Sequence, residues 1–258
     1  MYRFFVEKEQ IDREEKKVCI KGTDVNHIKN VLRMRAGEKI LISTGEDLEY
    51  TCGIVEMTQE EILAEIIEIQ EADRELPSQI YLFQGLPKSD KMELIIQKAV
   101  ELGVFQIIPV ETKRCVVKLD AKKEASKRKR WQGIAESAAK QSKRMVIPEI
   151  HSVMKFSQAI EYAGQLDIRL IPYELAENMD HTRKMLEKIQ PGQSIGIFIG
   201  PEGGFTQEEI ETALEHQVEP ITLGKRILRT ETAGMTILSI LMYLLEEREV
   251  SGGETERK

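Results

Sequence analysis

No apolar run in this chain reaches the length of a bilayer span, and the opening MYRFFVEKEQ does not read as a signal peptide. Cysteine is scarce and odd in number: Cys19, Cys52 and Cys115 are too far apart to form an obvious disulfide framework. The only histidines, His27, His151, His181 and His216, form no close cluster with one another or with the cysteines, so metal-ligand spacing is missing. Aromatics make up 5% of the residues, and Trp131 is the single tryptophan. These scarcities argue against membrane, disulfide-stapled and metal-centred classes. They point to a cytoplasmic protein in a reducing compartment, with metal-free chemistry. The 258 residues suffice for one large or two modest domains with proper cores.

The net charge of −7 conceals an asymmetry. From Lys113 to Arg144 there are 12 Lys and Arg against Asp120, Glu124 and Glu136. Such a stretch is either a solvated helix face or a phosphate-backbone surface, where each neutralised phosphate releases counterions. Trp131 within it reads as a core anchor more readily than as a stacking platform.

Residues 1–72 alternate short β-like runs (17–22, 38–44 and 48–57) with turns at AGE and TGED and one short helix near 24–34. EEILAEIIEIQE fits either period and reads as a strand from the company it keeps. The sum is a small β-barrel, followed by ADRELPSQ as a linker. Residues 73–250 change rhythm. IYLFQGL, VFQIIPV, IRLIPYE, SIGIFIG and EPITLG alternate with helices, including ones expected near 90–102, 121–142 and 232–248. Strands alternating with helices predict a largely parallel, three-layer α/β sheet. Residues 251–258, SGGETERK, read as a flexible tail.

In such sheets ligands sit beyond the carboxyl ends of the strands, which gathers the loops at 172–177, 200–205 and 224–232. The second of these, in IFIGPEGGFTQEE, has no Lys after its glycines and lacks the GxGxxG spacing, so it is neither a Walker loop nor a dinucleotide fingerprint. Thr206 and Glu209 form a capping box on the helix that follows. With Glu202 and Glu208 nearby, the local field favours a neutral or cationic ligand over phosphate. The third loop, LGKRILRTETAG, places the apolar pair Ile227-Leu228 between Arg226 and Arg229, suited to gripping a flat group such as an adenine.

IGPEGGFT and LGKRILRTETA, with YRFFV, H..NVLRMRAGEKI and AAKQSKR, closely resemble the RsmE family of SPOUT (trefoil-knot) methyltransferases over nearly the whole chain. The resemblance implies a PUA-like RNA-binding barrel, an α/β knot, a homodimer, S-adenosylmethionine (SAM) as methyl donor, and N3 of uridine 1498 in 16S ribosomal RNA of the small subunit as target. One departure is visible. Lys140 stands where the family motif has an acid, and it is expected to add to the basic face.

Carried onto this chain, the motifs imply cofactor contacts at Ile199, Gly200, Glu202, Gly203, Gly204, Leu223, Gly224, Ile227, Leu228, Thr232 and Ala233, and the loop at 172–177 adds Pro172 and Tyr173. Arg229 is the expected electrostatic group. Glu231 is either a base or a helix-capping carboxylate, and Glu202 either braces the loop or touches cofactor. RNA contacts are expected at Arg3, Arg33, Arg35, Lys88, Lys91, Arg114, Lys143 and Arg144. A SPOUT enzyme with another RNA target and a non-catalytic RNA-binding assembly factor are the alternatives.

Overall fold

The computed structural model describes residues 1–45, 48–71, 74–174 and 179–253, the last five of these by backbone alone. Two compact units divide the chain, one of residues 1–75 with 139–147, the other of residues 76–138 with 148–258.

The first unit is a six-stranded sheet in the order β1-β4-β5-β6-β3-β2. Its strands are β1 (Tyr2–Phe5), β2 (Ile11–Asp12), β3 (Lys17–Lys21), β4 (Lys39–Ser43), β5 (Leu48–Met57) and β6 (Glu61–Glu71). All pairings are antiparallel except β1 with β4. Period-2 alternation puts Val18 and Ile20, Ile40 and Ile42, and Ile62, Ala64 and Ile66 on one buried face. Helix α1 (Thr23–Asn26) and the wider turn at His27–Val31 add Val25 and Ile28 to that core. The ambiguous EEILAEIIEIQE is a strand, as expected: its neighbours supply the backbone partners that its own periodicity does not specify.

The second unit is a seven-stranded, wholly parallel sheet ordered β10-β8-β7-β12-β11-β13, with β9 also paired to β8. In chain order its elements are β7 (Gln79–Gly85), α2 (Lys91–Glu101), β8 (Gln106–Glu111), α3 (Ala121–Ser142), β9 (Glu149–Ile150), β10 (Met154–Lys155), α4 (Phe156–Ala163), β11 (Ile168–Pro172), α5 (Met179–Glu187), β12 (Ser194–Ile199), α6 (Gln207–Glu215), β13 (Glu219–Ile221) and α7 (Thr230–Gly253). The last turn of α3 belongs with the first unit. This is the α/β SPOUT architecture that the resemblance implies.

Helix α2 buries Met92, Ile95, Ile96, Ala99 and Val100, an i, i+3, i+4, i+7, i+8 stripe that packs beside α7. It ends before Gly103, which takes φ +87° and whose missing Cβ leaves room for Leu76. Trp131 is buried in α3, as a core anchor should be. Helix α7 runs on through Gly253, so the first residues of the expected tail are helical, and 254–258 lie outside the described residues.

Candidate active site

The cavity lies at the carboxyl ends of β11, β12 and β13, where the order of the parallel sheet predicts it. It encloses about 400 Å³, within the range for small-molecule sites. One wall is the loop after β12, from Ile199 to Phe205; the other is the segment 222–230 leading into α7. Pro172, Tyr173 and Glu174 close a third side, whereas 175–177 of that loop lie outside the described residues.

Glycines let the backbone crowd here. A Cβ on Gly85, at the end of β7, would lie 2.6 Å from Pro201 Cδ, and one on Gly200 would lie 3.1 Å from Gly204 Cα. Gly204 itself has φ +66°, a left-handed conformation in which a side chain is strained. The capping box forms as expected. Thr206 N–H donates to Glu209 Oε2 at 2.8 Å, and Glu209 N–H to Thr206 Oγ1 at 3.3 Å. Glu209 also accepts from Lys113 N–H at 2.8 Å, which ties the segment after β8 to this loop.

Glu202 braces the loop. Its carboxylate accepts from Lys88 N–H at 3.1 Å and pairs with Lys91 Nζ at 3.0 Å, while Lys91 Nζ lies 3.6 Å from Glu231 Oε2. Burial alone would raise the Glu202 pKa. The hydrogen bonds from Lys91 and from backbone N–H groups outweigh it and hold the carboxyl below its usual range. The Lys91 ammonium is pushed up, mainly by its hydrogen bond to Glu202. Across the cavity, Ile227 is 84% exposed and Arg229 is exposed beside it, an apolar grip and a cation facing open space.

Residues 74–242 match the family described as RNA methyltransferase domain, and residues 20–70 the one described as RNA methyltransferase PUA domain. Ribosomal RNA small subunit methyltransferase E of Bacillus subtilis is 38% identical over 95% of this chain and 98% of its own length. This chain belongs to the RsmE family. The Mesomycoplasma hyopneumoniae protein of the same name is 36% identical over 93% of this chain and 98% of its own. The solved Neisseria gonorrhoeae ribosomal RNA small subunit methyltransferase E, bound to S-adenosyl methionine, superposes with TM-score 0.82 at 32% identity, covering 95% of this chain and 98% of that one.

Of the expected cofactor positions, Pro172, Tyr173, Ile199, Gly200, Glu202, Gly203, Gly204, Leu223, Gly224, Ile227, Leu228 and Ala233 all line this cavity. Thr232 does not; it lies on the exposed side of α7's first turn, because a helix turns successive residues to different faces. Glu231 is also off the cavity wall and faces Lys91, which weighs against its role as the base.

Several expected RNA contacts are corrected. Arg3 is buried and paired with Glu49, and burial, reinforced by Arg74, lowers its pKa to about 10. Arg144 is buried and paired with Glu75, whose carboxylate also accepts from Met145 N–H at 2.7 Å. Lys140 does not extend the basic face; it pairs with Asp24 at 2.9 Å and sits over the Phe4 ring. Lys91 belongs to the cavity and its carboxylates. Arg114 keeps the exposure that an RNA contact requires and also donates to Gly203 O at 2.8 Å across the glycine loop. Arg33, Arg35, Lys88 and Lys143 are exposed as an RNA contact requires.

The motifs did not single out Gln84, Thr230 or Lys91's bridging position. Gln84 carried a signal, an amide next to the apolar run of a parallel strand's carboxyl end.

Proposed function

We propose that this chain is a SAM-dependent methyltransferase for N3 of uridine 1498 in 16S ribosomal RNA of the small subunit, acting in the cytoplasm as a homodimer. The observation that carries it is the cavity walled by GPEGG and ILRTETA, with Arg229 exposed at its mouth. The residues fit SAM. The glycine loop carries Glu202 and no lysine, its following helix is capped by its own side chains, and Ile227 and Leu228 offer an apolar face for the adenine. Such a loop suits a sulfonium and would serve a phosphate poorly.

When bound, SAM supplies an electrophilic methyl carbon on a positively charged sulfur. The chain's own task is to place uracil N3 in line with that carbon and to ease the loss of its proton. Arg229 would stabilise the negative charge that develops on the uracil as the N3 proton is lost to water, and N3 would take the methyl as the carbon–sulfur bond breaks and its electron pair stays on sulfur. Holding both reactants in one cavity supplies the larger share of the acceleration. Glu202 and Lys91 keep the loop in shape.

The RNA contacts we propose are fewer than the charge count suggests and are taken unit by unit: on the second unit Lys88, Arg114, Lys118 and the outer face of α3 at Lys122, Arg128 and Lys129; on the first, which serves as the RNA-binding domain, Arg33, Arg35 and Lys143. Homodimer formation is supported by Leu94 on α2 and Tyr243 on α7, apolar side chains 42% and 63% exposed on two helices that pack together. Among the described residues no helix is long and apolar enough to cross a membrane.

The test uses small subunits from a strain lacking the protein, incubated with it and radiolabelled SAM. Label on N3 of that uridine is the expected result; label on another nucleotide, or none, would overturn the assignment.

A further inference from the structure

Gln84, next to last in β7, pairs with Ile199 of β12 and is fully buried. Its Nε2 donates to Gly85 O and to Thr230 Oγ1, both at 2.9 Å. Thr230, itself 5% exposed, donates its hydroxyl to Gly200 O at 2.6 Å. Gln84 Oε1 has no hydrogen-bond partner among the described residues. Burying an amide with one end unsatisfied is costly, and a Met or Leu would fill the same space without that cost. The amide therefore does something other than pack.

The chain Gln84–Thr230–Gly200 joins the two walls of the cavity from beneath. Gly200 opens the glycine loop, and Thr230 is the first residue of α7. Arg229 O accepts from Ala233 N–H at 2.8 Å, so the backbone of Arg229 is the cap on which α7 closes. Fixing Thr230 to Gly200 fixes where Arg229 leaves the helix relative to the loop opposite.

We infer that Gln84 and Thr230 are positioning residues for methyl transfer, setting Arg229 against the glycine loop; this rests on the function proposed above. Thr230→Val removes the hydroxyl at nearly constant volume, Thr230→Ser keeps it, and Gln84→Met removes the amide. Initial rates on small subunits would be measured at saturating SAM, with amide hydrogen exchange on the SAM-free proteins as a second readout. Thr230→Val and Gln84→Met should lower kcat about 10-fold or more with KM for the subunit little changed, the signature of misplacing a group that acts in the transition state. Thr230→Ser should stay close to the unmutated protein. Amides 230–234 should exchange faster in Thr230→Val, while those of α2 stay protected.

Unchanged kcat in Thr230→Val, a loss equally large in Thr230→Ser, or loss of protection throughout α2 would overturn the inference. If the unmutated protein transfers no methyl, the proposed function fails instead. The exchange comparison still judges the strut, and unaltered exchange at 230–234 would sink it.

Discussion

Arg3 and Glu49, 46 positions apart, form an ion pair inside the first unit with side chains 1% and 4% exposed. Arg3 also donates to Arg144 O at 3.2 Å, and Arg74 lies 3.4 Å from Glu49. The pair thus locks residues 139–147 onto the β-sheet of that unit. Arg3→Met leaves Glu49 buried without its main partner, a loss of about 3–5 kcal/mol on the scale of broken buried pairs. Urea denaturation followed by circular dichroism checks this; a loss below about 1 kcal/mol would mean that water reaches the carboxylate.

Lys143 and Arg144 are neighbours with opposite fates. Lys143→Ala should leave stability unchanged and reduce the salt dependence of RNA binding by about one unit of slope. Arg144→Ala should destabilise the protein, because Glu75 loses the guanidinium that it grips. Paired filter-binding and thermal-melt measurements separate the two. An unaltered melting temperature for Arg144→Ala would contradict the burial argument.

Arg229 faces the cavity mouth, and its neighbours supply the apolar grip. Arg229→Ala should keep SAM affinity within a few-fold while turnover falls about 10²-fold or more, the scale of one preorganised electrostatic group. Arg229→Lys should recover little, since an ammonium lacks the planar fork. Calorimetry with SAM beside single-turnover methylation reads both quantities. Joint loss of binding and turnover would move Arg229 into the cofactor pocket.

The two glycines of GPEGG should respond differently. A Cβ on Gly203 would sit 3.1 Å from Arg114 Cβ, so Gly203→Val pushes Arg114 off the loop. Gly204 has open space but φ +66°, so Gly204→Ala brings backbone strain of about 1–2 kcal/mol. Both should weaken SAM binding with the fold retained, and Gly203→Val should also lower RNA affinity. Equal RNA affinity in the two variants would separate Arg114 from the RNA surface.

Lys91 and Glu202 set a pH window. The Glu202 pKa is depressed, so the tie's contribution is present above the ordinary carboxylate range and is lost as pH falls through the lowered value. Lys91 is raised, so its contribution is present below the ordinary lysine pKa and is lost as pH rises through the higher one. Lys91→Met should therefore be less stable than the unmutated protein between about pH 5 and 9, with the two converging in acid. Thermal melts across pH 3–9 test it, and a gap persisting undiminished at pH 3 would assign the effect to packing.

Much of this molecule follows from local pattern. Alternation at period 2 marks β3, a short continuous apolar run marks β4, the 3.6 period marks α2, and Gly103 ends that helix, because each signal involves residues a few positions apart. The Thr206–Glu209 box is likewise complete within four residues, so the sequence alone shows a helix capped by its own side chains beside Glu202. The parallel sheet then placed the loops, since strands joined by helices bring their carboxyl ends to one edge.

Tertiary structure alone decided which charges are free. Arg3, Lys140 and Arg144 look like surface cations in sequence, yet Glu49, Asp24 and Glu75 lie between 46 and 116 residues away from them, and no local rule links such positions. Lys91 reads in sequence as an RNA contact, yet the fold brings Glu202 and Glu231 to it. Gln84 and Thr230, separated by 146 residues, became one polar strut for the same reason. A long-range ion pair or hydrogen bond depends on where two distant segments come together, and that is fixed by the packing of the whole core.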